Sequence, residues 1–216
     1  MQIFWKGQAC FHITAQGSGH EQVKIVIDPY DPSIGLKMPT MEADIVLSTH
    51  DHPDHNNIKA CAGAFAITGP GEYEIKGVAI QGIPSFHDEK EGKERGKNTM
   101  YVIEAEGIRL CHLGDIGQSE LTSEQVSKIG NVDILCVPVG GVYTVAAKDA
   151  SKIVNQIEPR MVIPMHYFLP GLRFKLDKVD EFLKEMGVKN VEPQNKLTVK
   201  VRDFTSEEMQ VVLLTP

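Results

Sequence analysis

Between positions 50 and 55 the chain reads His50, Asp51, His52, Pro53, Asp54, His55, which packs three imidazoles and two carboxylates into six residues. Imidazole and carboxylate donors without thiolate suit a Zn²⁺, Mn²⁺ or Fe site, and an open coordination position makes such a site catalytic rather than structural. The residues just upstream, 43–49, are apolar and rich in β-formers, so they predict a short buried strand. Side chains two apart on a strand share a face. His50 and His52, at the strand's C-terminal end, are therefore expected to aim at one metal. Pro53 is expected to stop the strand and open a helix, which turns Asp54 and His55 toward a second position.

The hexad resembles the signature of the metallo-β-lactamase fold superfamily, whose members are mostly metal-dependent hydrolases. That resemblance implies three more ligands in chain order: a lone His, an Asp after a strand and a late His. The matching positions are His87 after the strand-like stretch 77–84, Asp115 closing the stretch 108–114, and His166 at the end of an apolar strand in 162–167. Sites in α/β sheets gather at the carboxyl ends of strands, so such distant segments can meet in one crevice. Gly69, Pro70, Gly71, Glu72, Tyr73 and Glu74, with Pro138, Val139, Gly140, Gly141, Val142, Tyr143 and Thr144, are similar to one branch of the superfamily. It is a group of small metal-dependent hydrolases related to the ascorbate-6-phosphate lactonases.

The resemblance covers most of the chain and implies an α/β (α+β) fold, a four-layer αββα sandwich, in a single domain over residues 1–216. It implies two divalent ions, Zn first and Mn or Fe as alternatives, held by His50, His52 and His87 on one side and Asp54, His55 and His166 on the other. Asp115 would bridge them. Ions ~3.5–4 Å apart would share a hydroxide formed near neutral pH. Asp54 and Asp115 are thus candidates for catalysis as well as ligation, and His112 for proton donation to the leaving group or for support of its neighbours. Asp28 resembles the family's early aspartate, which orients a ligand imidazole; the alternative is a strand-ending Asx turn. Two positions depart from the branch. Gln8 stands where a histidine is usual, and Ile116 where a threonine is usual after Gly-Asp.

The chain has 216 residues, 22 basic and 29 acidic, for a net charge of −7. No basic stretch is interleaved with aromatics, so a phosphate-backbone footprint is missing and a small-molecule substrate is expected rather than nucleic acid. Neither a secretory signal nor a membrane span is legible. Cys10, Cys61, Cys111 and Cys136 are scattered and read as reduced thiols in the cytoplasm, with Cys111 a packed core residue. A homo-oligomer is compatible with all of this. The charged stretch 87–97 is expected as a solvated loop or as a flap in which Arg95 or Lys97 reaches an anionic substrate. Tyr143, Thr144 and Tyr167 are candidate pocket-lining residues, and His12 and His20 are ordinary structural or surface histidines.

Periodicity predicts strands at 2–6, 9–14, 23–28, 64–68, 75–82, 100–104, 108–113, 133–139 and 161–164. Helices are expected at 57–63, from a capping box at Thr122 and Gln125 to 129, at 145–157 and at 177–186, and a terminal hairpin from 196–203 and 209–214. The expected activity is hydrolysis of a small anionic ester, lactone or phosphodiester. A di-iron oxidoreductase would carry a carboxylate in place of a hexad histidine and a flavin domain downstream. A non-catalytic metal-binding or regulatory protein is the other alternative, kept open by Gln8 and Ile116.

Overall fold

A computed structural model describes residues 1–206 and 208–216. In chain order the elements are β1 (Gln2–Trp5), β2 (Phe11–Gln16), β3 (Gln22–Ile27), β4 (Ile45–Leu47), β5 (Phe65–Ile67), β6 (Gly71–Ile75), β7 (Val78–Phe86), β8 (Lys97–Ala105) and β9 (Ile108–His112). They continue as α1 (Ser123–Ile129), β10 (Ile134–Pro138), α2 (Ala147–Ile157), β11 (Met161–Met165), α3 (Val179–Glu185), β12 (Leu197–Thr198) and β13 (Gln210–Val211). One sheet has the order β12-β1-β2-β3-β4-β5, the other β13-β11-β10-β9-β8-β7-β6.

Strand patterning explains the layers. Phe11, Ile13 and Ala15 of β2 are buried while His12 and Thr14 between them are only half-buried, the alternation of a strand with one face on the core. β4 is buried throughout because both its faces are covered. Ile45 and Leu47 join the core between the sheets, whereas Val46 joins Val26, Cys10, Tyr30, Ile34, Met41 and Cys61 in a second cluster on the outer face. That outer layer is built from 3-10 turns, Pro32–Ile34 and Ile58–Cys61, and loops. Helices cover the other sheet. Ala147, Ala150, Ile153, Val154 and Ile157 form the buried stripe of α2 at helical spacing. The Thr122 hydroxyl accepts from Gln125 N–H while the Gln125 side chain accepts from Thr122 N–H, closing the expected capping box of α1.

Three expected elements differ. Residues 57–63 form a single 3-10 turn, because the backbone and side-chain amides of Asn57 are committed to Pro29 and Tyr30 carbonyls. The strand expected at 75–82 is two antiparallel strands, β6 and β7, that turn at Lys76 and Gly77. The terminal hairpin does not form: β12 pairs antiparallel with β1, and β13 pairs parallel with β11. Each therefore extends a different sheet.

Candidate metal centre

The strand before the hexad ends at Leu47, so His50 to His55 lie in a loop of bends and turns beyond it. His55 and Asn56 N–H both donate to the His52 carbonyl, at 2.9 and 3.1 Å, so Pro53 opens a tight turn rather than the expected helix. The loop still converges its imidazoles. The rings of His50 and His52 are 4.6 Å apart at 81°, and they lie 4.7 and 5.2 Å from His87, the first residue after β7. Beside this trio, Asp54, His55, Asp115 and His166 bring four ligand atoms within 4.8 Å of one another. Asp115 Oδ2 is 3.2 Å from His55 Nε2, 3.1 Å from His166 Nε2 and 3.5 Å from His87 Nε2, so a single oxygen touches both groups. All seven expected ligand positions are brought together.

The backbone is bent into place at these strand ends. Gln8, Asp28 and His166 have φ of 54°, 48° and 51°, a left-handed conformation that costs an L-residue ~1–2 kcal/mol. Gly114, at φ 58°, has a specific reason to be glycine: a Cβ there would stand 2.3 Å from Asn98 Oδ1 and 2.8 Å from Thr49 Cβ. That Asn98 oxygen accepts Asp115 N–H at 3.0 Å, while the Asn98 amide donates to the Leu113 carbonyl at 2.8 Å. The turn carrying Asp115 is thus held from both sides. Ile116 is buried and brings no hydroxyl, and Asp115 Oδ1 has no hydrogen-bond partner among the described residues.

Asp28 sits behind the imidazoles. Its Oδ1 accepts Thr49 N–H, and its Oδ2 accepts both the Thr49 hydroxyl and His55 Nδ1–H, each at 2.8 Å. With its proton given to Asp28, the Thr49 oxygen is free to accept His50 Nδ1–H at 3.0 Å. One carboxylate therefore turns the Nε2 lone pairs of His50 and His55 toward the centre, the tautomer metal ligation requires. His50 Nε2, His55 Nε2, both His166 nitrogens, His87 Nδ1 and Asp115 Oδ1 are buried without a hydrogen-bond partner among the described residues. Leaving such atoms unpaired costs ~1–3 kcal/mol each, and His55 Nε2 and His166 Nε2 meet at the Asp115 carboxylate, an arrangement that fits a cation.

Electrostatics divides the residues. Burial pushes His50 down to about 2, helped by its neighbour His55, and burial likewise lowers His87. For His55 and His166 burial acts the same way but is outweighed by carboxylates: Asp115, Asp54 and Asp28 raise His55, and Asp115 and Asp54 lift His166 to about 9. Burial would raise Asp54 and Asp115, yet the facing histidines hold both below the usual carboxylate range.

A cavity of about 370 Å³ opens over the centre, with His52, Asp54, His87 and Asp115 on its floor and Pro53, Arg95, Tyr143 and Phe174 around it. A larger concavity, about 440 Å³, lies on the second sheet between Glu72 and Arg109 and contains none of the ligand residues. The expected flap is an ordered loop. The Asp88 carboxylate accepts N–H from Lys90, Gly92, Glu94 and Arg95 at 2.7 to 3.0 Å. Burial raises the Asp88 carboxyl, but those four donors prevail and hold it at about 2. The loop directs Arg95 across the cavity, where it donates to the Val142 carbonyl at 3.0 Å and lies 5.1 Å from the Tyr143 ring. Tyr143 in turn meets Phe174 edge to face at 5.7 Å. Lys97 pairs with Phe86 in the sheet and does not line this cavity.

Other expected placements change. His112 is fully buried; its Nε2–H donates to the Ala9 carbonyl at 2.9 Å and its Nδ1 accepts Gly114 N–H at 3.1 Å. Both ring nitrogens are bonded to backbone, an arrangement that braces the Asp115 turn, and His112 is not among the residues lining the cavity. Tyr167 packs on Trp5 at 4.9 Å in the core, and Thr144 bonds the Val145 carbonyl outside the metal cavity, so of the three candidate pocket residues only Tyr143 lines it. Asp28 is bonded to Thr49 and His55 rather than closing an Asx turn. Thr49 and Phe174 were not singled out by sequence. Thr49's hydroxyl directly before the hexad was a usable signal, whereas Phe174 sits in a loop without pattern.

The profile of the beta-lactamase superfamily domain matches residues 2–166, a span that includes every ligand position. A UPF0173 metal-dependent hydrolase of Thermococcus onnurineus is 30% identical over 198 residues, covering 77% of this chain and 84% of the relative. Among solved structures, a Thermotoga maritima protein provisionally assigned as a Zn-dependent hydrolase of the metallo-β-lactamase superfamily is 38% identical. It superposes with a TM-score of 0.77 over 99% of this chain and 97% of its own. An isothiocyanate hydrolase from Delia radicum gut bacteria reaches a TM-score of 0.70 over 93% of this chain and 99% of its own at 15% identity, a likeness of fold alone.

Proposed function

Since the chain belongs to the beta-lactamase superfamily domain family and is a metal-dependent hydrolase of the metallo-β-lactamase superfamily, we propose that it cleaves a small anionic ester, lactone or phosphodiester at a dinuclear centre. His50, His52 and His87 would hold one ion and Asp54, His55 and His166 the other. The observation that carries the dinuclear reading is Asp115 Oδ2, within 3.1 to 3.5 Å of histidines from both groups. Nitrogen and carboxylate donors favour Zn²⁺, with Mn²⁺ or Fe as alternatives. Such a pair supplies, when bound, a hydroxide nucleophile at neutral pH and polarisation of the substrate's carbonyl or phosphoryl oxygen.

The chain's own residues do the rest. Asp54, half-buried on the cavity floor, orients the attacking water. Among the described residues the Arg95 side chain donates one hydrogen bond, to Val142, and a guanidinium held beside a cavity floor is a receptor for a substrate's negative charge. Tyr143 and Phe174 take the apolar part. The cavity volume of about 370 Å³ suits a small molecule. All four cysteines are free and buried, which supports a reducing compartment, the cytoplasm. Among the described residues no helix is long and apolar enough to cross a membrane.

Elemental analysis of protein purified without chelator, followed by assays on bis(p-nitrophenyl) phosphate, p-nitrophenyl butyrate and a simple lactone, tests this reading. The expected result is about two equivalents of metal, as a dinuclear site requires, with turnover removed by chelator and restored by metal. Two equivalents without cleavage of any probe would overturn hydrolysis of this substrate class. One equivalent or less after reconstitution would overturn the dinuclear centre.

A further inference from the structure

Gln8 occupies the tight turn between β1 and β2, is fully buried, and adopts a left-handed backbone that glycine or asparagine would take more readily. Its carbonyl accepts two donors, Trp5 Nε1–H at 2.8 Å and His166 N–H at 3.0 Å. Its side-chain Nε2 donates to Asp54 Oδ2 at 3.0 Å, the only amide N–H that Asp54 accepts among the described residues. Only the nitrogen end of an amide can face a carboxylate, so the orientation is fixed by chemistry. Gln8 Oε1, buried, has no hydrogen-bond partner among the described residues. Packing alone would favour an aliphatic side chain here, since a buried amide with an empty acceptor is disfavoured. Among the described residues the contact that accounts for a polar side chain in this strained turn is the bond to Asp54.

We propose that Gln8 is a positioning residue for the carboxylate-bearing half of the centre, its side chain fixing Asp54 and its carbonyl fixing His166, two of the residues that would hold the second ion. This rests on the dinuclear reading above. The same Asp54 oxygen lies 3.3 Å from His55 Nε2 and 3.7 Å from His166 Nε2, so a shift of Asp54 alters the whole group. Among the described residues Gln8 makes no hydrogen bond to His50, His52 or His87; His50 is held instead by the Thr49 hydroxyl. An amide has no titrating proton near neutrality, so this donor is present at every working pH. The predicted effect is selective: losing the Gln8 amide weakens one ion and spares the other.

The test is a Co²⁺ titration of metal-free protein followed by visible absorption, with thermal unfolding of each metal-free variant alongside. Gln8→Leu is expected to keep the first equivalent and to bind the second about 10–100-fold more weakly, the usual cost of removing a partner behind a metal ligand. Gln8→His, whose ring N–H can reach as far, is expected to restore most of the second equivalent. Wild-type binding of two ions with an unchanged second equivalent in Gln8→Leu would overturn the assignment alone. Loss of both equivalents together with metal-free stability would overturn it in favour of a general structural role. A wild-type protein that takes up a single ion would overturn the dinuclear reading and this inference with it.

Discussion

The two halves of the centre are built on different principles. His50, His52 and His87 are three imidazoles with no carboxylate of their own, and burial keeps His50 and His87 neutral. Asp54, His55, Asp115 and His166 pair two carboxylates with two imidazoles that those carboxylates hold protonated when no metal is bound. The second half carries its own counter-charge, with carboxylate and imidazole atoms 3.1 to 3.7 Å apart, whereas in the first burial disfavours a proton on His50 and His87. Charge also ranks them. The carboxylate half should compensate a divalent ion better, and the imidazole half borrows its only negative charge from Asp115.

The largest effect is expected from the residue that joins the halves. Asp115→Ala should abolish turnover and weaken both ions, read by elemental analysis; a variant that retains one full equivalent would show that the halves are independent. His52→Ala should likewise abolish turnover but remove only the ion of the imidazole half and leave the fold intact, so unchanged turnover would refute its place as a ligand.

A smaller effect separates the halves by pH. His166, raised to about 9 in the metal-free protein, contributes stability that is fully present below its ordinary value of ~6.5. That contribution is lost as pH rises through about 9. Metal-free protein should accordingly lose Tm across this window while the loaded protein, whose His166 is held by the ion rather than by a proton, should not. Parallel curves for both forms would mean that the ion pairs are not what holds the empty half together.

The smallest effect is expected at Thr49, whose hydroxyl hydrogen-bonds the ligand His50. Thr49→Val should weaken the first ion by ~10-fold, the low end for a partner behind a ligand, and leave the second near its wild-type affinity. Equal weakening of both would indicate that Asp28, not Thr49 itself, transmits the loss.

Sequence made the ligands legible because their chemistry is concentrated: the hexad is local, and Asp115 and His166 stand at the ends of apolar runs. What it left open depends on direction and distance. Sequence offered His112 either as a proton donor or as a support for its neighbours; its ring lies edge-on to Phe11 at 5.6 Å and its nitrogens bond the backbone, which is the supporting arrangement. Spacing along the chain carries no such information. The terminal hairpin was misread for a similar reason, since sequential strands usually pair, and here each finds an older partner instead. Arg95 could be named from its charged loop, but its distinction from Lys97 needed the register that places Lys97 opposite Phe86.

β12 and β13 sit at the ends of different sheets, against β1 and β11. Each is only two residues long and pairs with its neighbour at two positions, Gln2 and Ile3 of β1 and Met161 and Val162 of β11. So short an outermost strand offers another chain few backbone groups to pair with, which makes that end of each sheet a poor template for edge-to-edge association.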